Sequence, residues 1–180
     1  MRKLLSILIL SILMETPFVW GQDTVTDIDG NVYQTVQIGE QLWMKENLKV
    51  THYNNGDEIP TGYSDDEWAN LSTGAYAVYD DNESNADIYG YLYNWYAVDD
   101  DRGVCPDDWH VPTDDEIKQL EMYLGMSQEE ADGTINRGTN EGSKLSGRAD
   151  LWTDGDLDNN PEFGISGFNL FPGGCRYLGS

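Results

Sequence analysis

Apolar residues in this chain fall into short patterned stretches divided by turns, which predicts many small elements and extensive loops. Val32-Tyr33-Gln34-Thr35-Val36-Gln37-Ile38 is rich in β-branched and aromatic residues and roughly alternates, so it reads as a strand. Gly39-Glu40 is a tight connection to Gln41-Leu42-Trp43-Met44, its hairpin partner. Asn47-Leu48-Lys49-Val50 continues in extended form, and Asn54-Asn55-Gly56-Asp57 is a turn. Residues 64–71 fit one or two helical turns, with Ser64 as N-cap and Glu67 as its reciprocal partner. Residues 75–79 read as a short strand and 80–87 as a polar loop. Residues 88–98 are dense in aromatics; Leu92, Trp95 and Tyr96 share one face at helical spacing, which predicts a helix. Pro112 keeps His110 and Val111 extended. Thr113 and Glu116 then form a capping box, Ile117, Leu120 and Leu124 supply the buried stripe, and Gly125 stops the helix. Ser127 and Glu130 repeat the cap. Beyond Gly133 the chain is polar and glycine-rich, with an acidic loop over 154–160 and turns or short strands over 164–176. The class predicted is α+β: small antiparallel sheets, two or three short helices, and extensive loops.

The start of the chain has another pattern. Arg2 and Lys3 precede an almost wholly apolar run over residues 4–14, closed by Glu15. A membrane-spanning helix needs about 20 apolar residues, so the run fits a signal peptide over residues 1–21, cleaved after Gly21. Residues 22–180 then make a single domain, secreted or at the cell surface. The chain holds 33 acidic and 10 basic residues, a net charge of −23. That sign repels phosphate backbones and anionic lipid surfaces, so nucleic acid is excluded as a partner, and the shortness of the apolar run means that an integral membrane protein is not expected. Aromatics at 12% and apolar residues at 39% distinguish this acidity from that of a disordered segment. Solubility explains most of the charge; divalent-cation binding is the sharper reading for some loops.

Chemistry is sparse. Two histidines, His52 and His110, and two cysteines, Cys105 and Cys175, lack zinc-ligand spacing. Asp154, Asp156 and Asp158 alternate as in a calcium loop, but Asn159 and Ile165 stand where such a loop needs glycine and glutamate. Both a calcium site and a solvated acidic turn remain open there. No nucleophile elbow occurs, and with so many acids a carboxylate pair has no specificity. Trp43, Trp95 and Trp109 sit in patterned apolar stretches and are expected in the core. Trp68 and Trp152, in polar surroundings, are the candidate ligand-stacking residues. Export permits a Cys105–Cys175 disulfide, which the sequence does not decide.

Four stretches in order carry a resemblance. They are Asp29-Gly30-Asn31-Val32-Tyr33 with residues 38–48, then Tyr91-Leu92-Tyr93-Asn94-Trp95-Tyr96-Ala97-Val98, then residues 105–113, then Gly167-Phe168-Asn169-Leu170-Phe171-Pro172-Gly173-Gly174. Together they resemble the Fibrobacter succinogenes major paralogous domain (FISUMP) family. The resemblance implies an exported or cell-surface bacterial domain, a C-type-lectin-like fold, and no established reaction. Residues 109–116 also resemble the segment before a helix in formylglycine-generating sulfatase-modifying enzymes, an analogy of fold that does not transmit function. The family continues past this chain's Pro-Gly-Gly segment and carries an aromatic residue where Cys175 stands. A C-terminally truncated domain is therefore expected, with the usual partner of Cys105 beyond residue 180. The leading expectation is a non-enzymatic domain binding a carbohydrate or a surface protein. The alternatives are an envelope hydrolase or modifying enzyme using cleft carboxylates, and an inactive fragment. No cofactor is expected beyond the candidate calcium.

Overall fold

A computed structural model describes residues 24–134 and 137–176. The signal-peptide reading lies outside the described residues. Strands β1 (Thr24–Thr26), β2 (Val32–Ile38) and β3 (Gln41–Met44) form one antiparallel sheet in the order β1-β2-β3. The alternating stretch and its hairpin partner take the predicted bounds, and Ile38 pairs with Gln41 across the Gly39-Glu40 connection. Helix α1 (Asp65–Ala69) follows. Then β4 (Tyr76–Val78), α2 (Ala86–Tyr89), β5 (Tyr91–Tyr93) and α3 (Trp95–Val98) form a unit in which β4 and β5 pair antiparallel. Helices α4 (Asp114–Tyr123), α5 (Gln128–Ala131) and α6 (Glu141–Leu145) complete the order. No described helix is long and apolar enough to cross a membrane.

The class is the predicted α+β, but six short helices are described where two or three were expected. The helix expected over residues 88–98 is instead the end of α2, a strand and α3. Gly90, at φ 66°, ends α2, and a side chain there would meet the Leu48 carbonyl at 2.7 Å. Tyr91 and Tyr93 then line up beside Tyr76 at ring separations of 4.5 and 6.3 Å. Such cross-strand aromatic contacts favour the pleated form. The polar loop over 80–87 holds 3₁₀ turns and the first residues of α2. Helix α6 carries no apolar stripe. Its start is fixed by Glu141, whose carboxylate accepts from the Thr139 and Asn140 N–H groups at 2.7 and 3.2 Å. Residues 164–176 form turns with one isolated parallel bridge, Ser146 to Leu170, rather than short strands.

The three predicted caps are present. Ser64, Thr113 and Ser127 each accept from the backbone N–H three residues on, while Glu67, Glu116 and Glu130 reach back. Three small cores result. One joins Val50, Tyr53, Ile59, Tyr76, Ala97 and Val104. A second packs Ile38 and Trp43 against Leu120, with Ile117, Leu124, Leu145 and Phe168 around them. The third gathers Trp68, Ala75 and Ala77. On β2, Tyr33 is wholly buried; its hydroxyl donates to Asp27 at 2.6 Å and accepts from the Lys49 N–H at 3.0 Å.

A Cβ on Gly74 would run into the Tyr53 hydroxyl and meet the Ala97 Cα at 3.0 Å. Gly74→Ala is therefore expected to destabilise by about 1–3 kcal/mol in urea unfolding, and Tyr53→Phe in the same chain to recover part of it; a neutral Gly74→Ala contradicts this packing. The Glu116 carboxyl is held down to about 2, first by the Thr113 backbone N–H, then by the Thr113 hydroxyl and His110. Its folded value lies below the ordinary 4.5, so its stabilisation is complete above that pH and lost as pH falls towards 2. Glu116→Gln, which cannot titrate, is expected to flatten the acid limb of the melting-temperature profile. Identical acid limbs in both proteins would rule the contribution out.

Candidate functional site

Residues 105–113, Cys-Pro-Asp-Asp-Trp-His-Val-Pro-Thr, cross the surface as an irregular ridge tied at both ends. At its start Asn54 Nδ2 donates to the Cys105 carbonyl at 2.7 Å, and the Trp109 N–H donates to the Pro106 carbonyl at 3.0 Å. Asp108 takes the left-handed conformation, φ 66°, that this turn requires. At its end Thr113 caps α4, and His110 Nε2 lies 2.8 and 2.9 Å from the two Glu116 carboxylate oxygens. Glu116 also accepts from the Thr113 N–H and hydroxyl, each at 2.8 Å. With these partners the carboxylate is a latch for the ridge rather than a free proton acceptor.

Trp109, His110, Val111 and Pro112 line a hollow on each side of the ridge. The larger, about 880 Å³, runs along β3 and the residues after it and is closed by Phe168, Asn169 and Leu170. The smaller, about 430 Å³, is bounded by Trp95, Val98 and Asp99, with Asn54 on its wall. Trp95 is 68% exposed, and Tyr96 and Val111 are exposed beside it in sequence and on the ridge.

The tryptophans divide differently from expectation. Trp43 is buried, as expected, and Trp109 is half-buried. Trp95, expected in the core, is the exposed tryptophan among the described residues. Asn94 caps α3 by accepting from the Ala97 N–H at 3.0 Å and also holds the Ala75 N–H at 3.0 Å, which turns Ala97 inwards and leaves Trp95 outside. Trp68, expected at the surface, is only 6% exposed. It is the one large apolar residue of α1, behind three acids, and the Arg176 guanidinium lies over its ring at 5.0 Å. Arg176 also bonds Asp65, Asp81 and the Tyr63 carbonyl. Trp152 is half-buried, with its indole N–H given to the Gly147 carbonyl at 2.8 Å. Neither Trp68 nor Trp152 offers an open face.

In the acidic turn, Asp158 accepts from the Gly155 N–H at 2.8 Å and Asp154 from Asn159 Nδ2 at 2.7 Å, so two of the three candidate calcium ligands close their own loop. Among the described residues, no group of three or more His, Cys, Asp or Glu could hold a metal ion. Asp29, His52 and Thr51 cluster without forming a relay. Asp29 Oδ1 lies 2.6 Å and Thr51 Oγ1 3.0 Å from the same ring nitrogen, Nδ1. A relay needs the nucleophile and the acid on opposite nitrogens, and the Thr51 hydroxyl already donates to Asp29 at 2.9 Å. Cys105 and Cys175 both stand as free thiols in this structure. Burial pushes the half-buried Cys105 thiol up, whereas Cys175 is exposed. Ellman's reagent is therefore expected to modify Cys175 quickly in the native protein and Cys105 only slowly, both reacting at once in denaturant. A native protein with no reactive thiol contradicts this assignment.

The family model for the Fibrobacter succinogenes major domain matches residues 36–179, which include the end of β2, all of β3, the ridge and both hollows. No curated protein and no solved structure matches the chain.

Proposed function

The chain belongs to the Fibrobacter succinogenes major domain family, and from that premise we propose that it is an exported, non-enzymatic binding domain that stacks a carbohydrate on Trp95 in the smaller hollow. The exposure of Trp95 carries this reading. A large aromatic side chain left in water forgoes roughly 1.5–3 kcal/mol of burial, and this one shares its hollow with Trp109 and Pro112. Indole faces fit the apolar face of a sugar ring, while Asn54 and Asp99 on the same wall suit its hydroxyls. Export rests on the basic start and apolar run of residues 2–14, and a C-type-lectin-like fold on the family resemblance. Non-enzymatic action is favoured by the carboxylates: every described one whose proton affinity is displaced is displaced downwards, as at Asp29, Asp57, Asp100 and Glu116. A general acid needs the opposite displacement.

A glycan array probed with the full chain is expected to give hits that Trp95→Ala abolishes, at a cost of about 2 kcal/mol, some thirtyfold in affinity. The same substitution is expected to leave the melting temperature within a degree or two, because the residue is exposed. An array blank for the native protein, or hits indifferent to Trp95, would sink the reading.

A further inference from the structure

The larger hollow exposes an unused sheet edge. β3 is the outer strand of its sheet, and no described strand or bridge pairs with its far side. The register matches Val36 with Trp43 and Ile38 with Gln41, and the Lys45 N–H donates to the Gln34 carbonyl at 2.9 Å. In an antiparallel ladder hydrogen-bonded pairs alternate with unbonded ones. Gln41, Trp43 and Lys45 therefore bond β2, while Leu42 and Met44, both of which line the hollow, turn their N–H and C=O groups away from β2. The ends of this edge are held in place: Gln41 Nε2 donates to the Glu116 carbonyl at 3.1 Å, and Asn169 Nδ2 donates to the Lys45 carbonyl at 3.1 Å. Trp43, also on the wall of the hollow, has a buried indole N–H without an acceptor.

The lining is strongly one-signed. Glu40, Glu46, Asp107, Asp108 and Glu116 face it, against Lys45 as the one lysine or arginine. A second copy of this chain, at a net charge of −23, would bring like charge to like. We propose that the hollow docks an extended basic peptide segment of another protein, which adds as a strand to β3, with its lysines or arginines against these carboxylates. Backbone pairing supplies the orientation, and the acidic rim selects the charge.

The probe is a fluorescein-labelled peptide of alternating lysine and valine, titrated into the full chain by fluorescence anisotropy. Saturable binding is expected, weakened by salt. N-methylating alternate amides on the pairing edge is expected to weaken it about tenfold, since one or two backbone hydrogen bonds are lost; the alternating glutamate–valine peptide is expected not to bind. Met44→Pro removes an outward N–H without touching the β2 ladder and is expected to abolish binding with unchanged circular dichroism. Should it misfold, Asp107→Asn with Asp108→Asn is expected to weaken binding and flatten its salt dependence. The proposal is overturned by no binding of the lysine peptide, by binding indifferent to N-methylation, or by a dimer of this chain that occupies β3. Trp95→Ala, on the other side of the ridge, is expected to leave peptide binding unchanged, so failure here and failure of the glycan reading are separate results.

Discussion

A buried carboxylate at Asp27 governs how this chain returns across its first sheet. It is 6% exposed and accepts from the Asp29 and Asn31 N–H groups, from Asn31 Nδ2 and from the Tyr33 hydroxyl. A carboxylate out of water is costly unless its lone pairs are filled, and these partners fill them. The Tyr33 hydroxyl accepts in turn from the Lys49 N–H, and burial with the adjacent Asp27 pushes its own proton affinity far up. Residues 49–53 are thereby fixed against the sheet, and with them Val50 and Tyr53 at the centre of the largest core. Tyr93 completes the junction, its hydroxyl donating to the Val50 carbonyl at 2.7 Å. From there the second sheet, α3 and Trp95 take their positions.

Local rules were legible wherever the physics is local. The β2–β3 hairpin and the caps at Ser64, Thr113 and Ser127 depend on neighbours within a few residues, and each is found as read. Residues 88–98 were misread because their spacing of Leu92, Trp95 and Tyr96 spans a strand–helix junction at Asn94, and the choice is made by pairing with β4, distant in sequence. Helix α6 was not readable at all, since a buried glutamate rather than an apolar stripe sets it. At the site, the ridge at 105–113 was singled out by its motif, but the side of the surface each tryptophan takes was not. Trp68, as the one large apolar residue of α1, gave a usable sign that it must turn inwards. Trp95 gave none, because its exposure follows from the burial of Ala97 two positions on.

Scarce cations brace a chain dominated by acids. Each of the four described arginines meets a carboxylate, and several tie separate loops: Arg102 joins Asp57 to Asp100 above the Tyr53 ring at 3.8 Å, and Arg137 reaches Glu121 on α4. Exposed pairs of this kind contribute little one by one. Arg176, with its side chain only 12% exposed, is the stronger brace, since it also covers Trp68. The carboxylates along the larger hollow lie mostly outside this bracing, with Glu116 engaged by its own cap.

The joining of residues 164–176 to the rest has a kinetic side. Leu170 exchanges backbone hydrogen bonds with Leu145 and Gly147, Asn169 reaches back to Lys45, and Arg176 to Asp65. Phe168 meets Trp43 at a ring separation of 5.5 Å. A hairpin formed early in synthesis thus waits for partners more than a hundred residues later before its core can close. Until Phe168 has left the ribosome, Trp43 lacks its ring partner and lies open beside a strand edge that no described strand pairs even in the folded chain, so the nascent chain carries an association-prone surface through most of its synthesis.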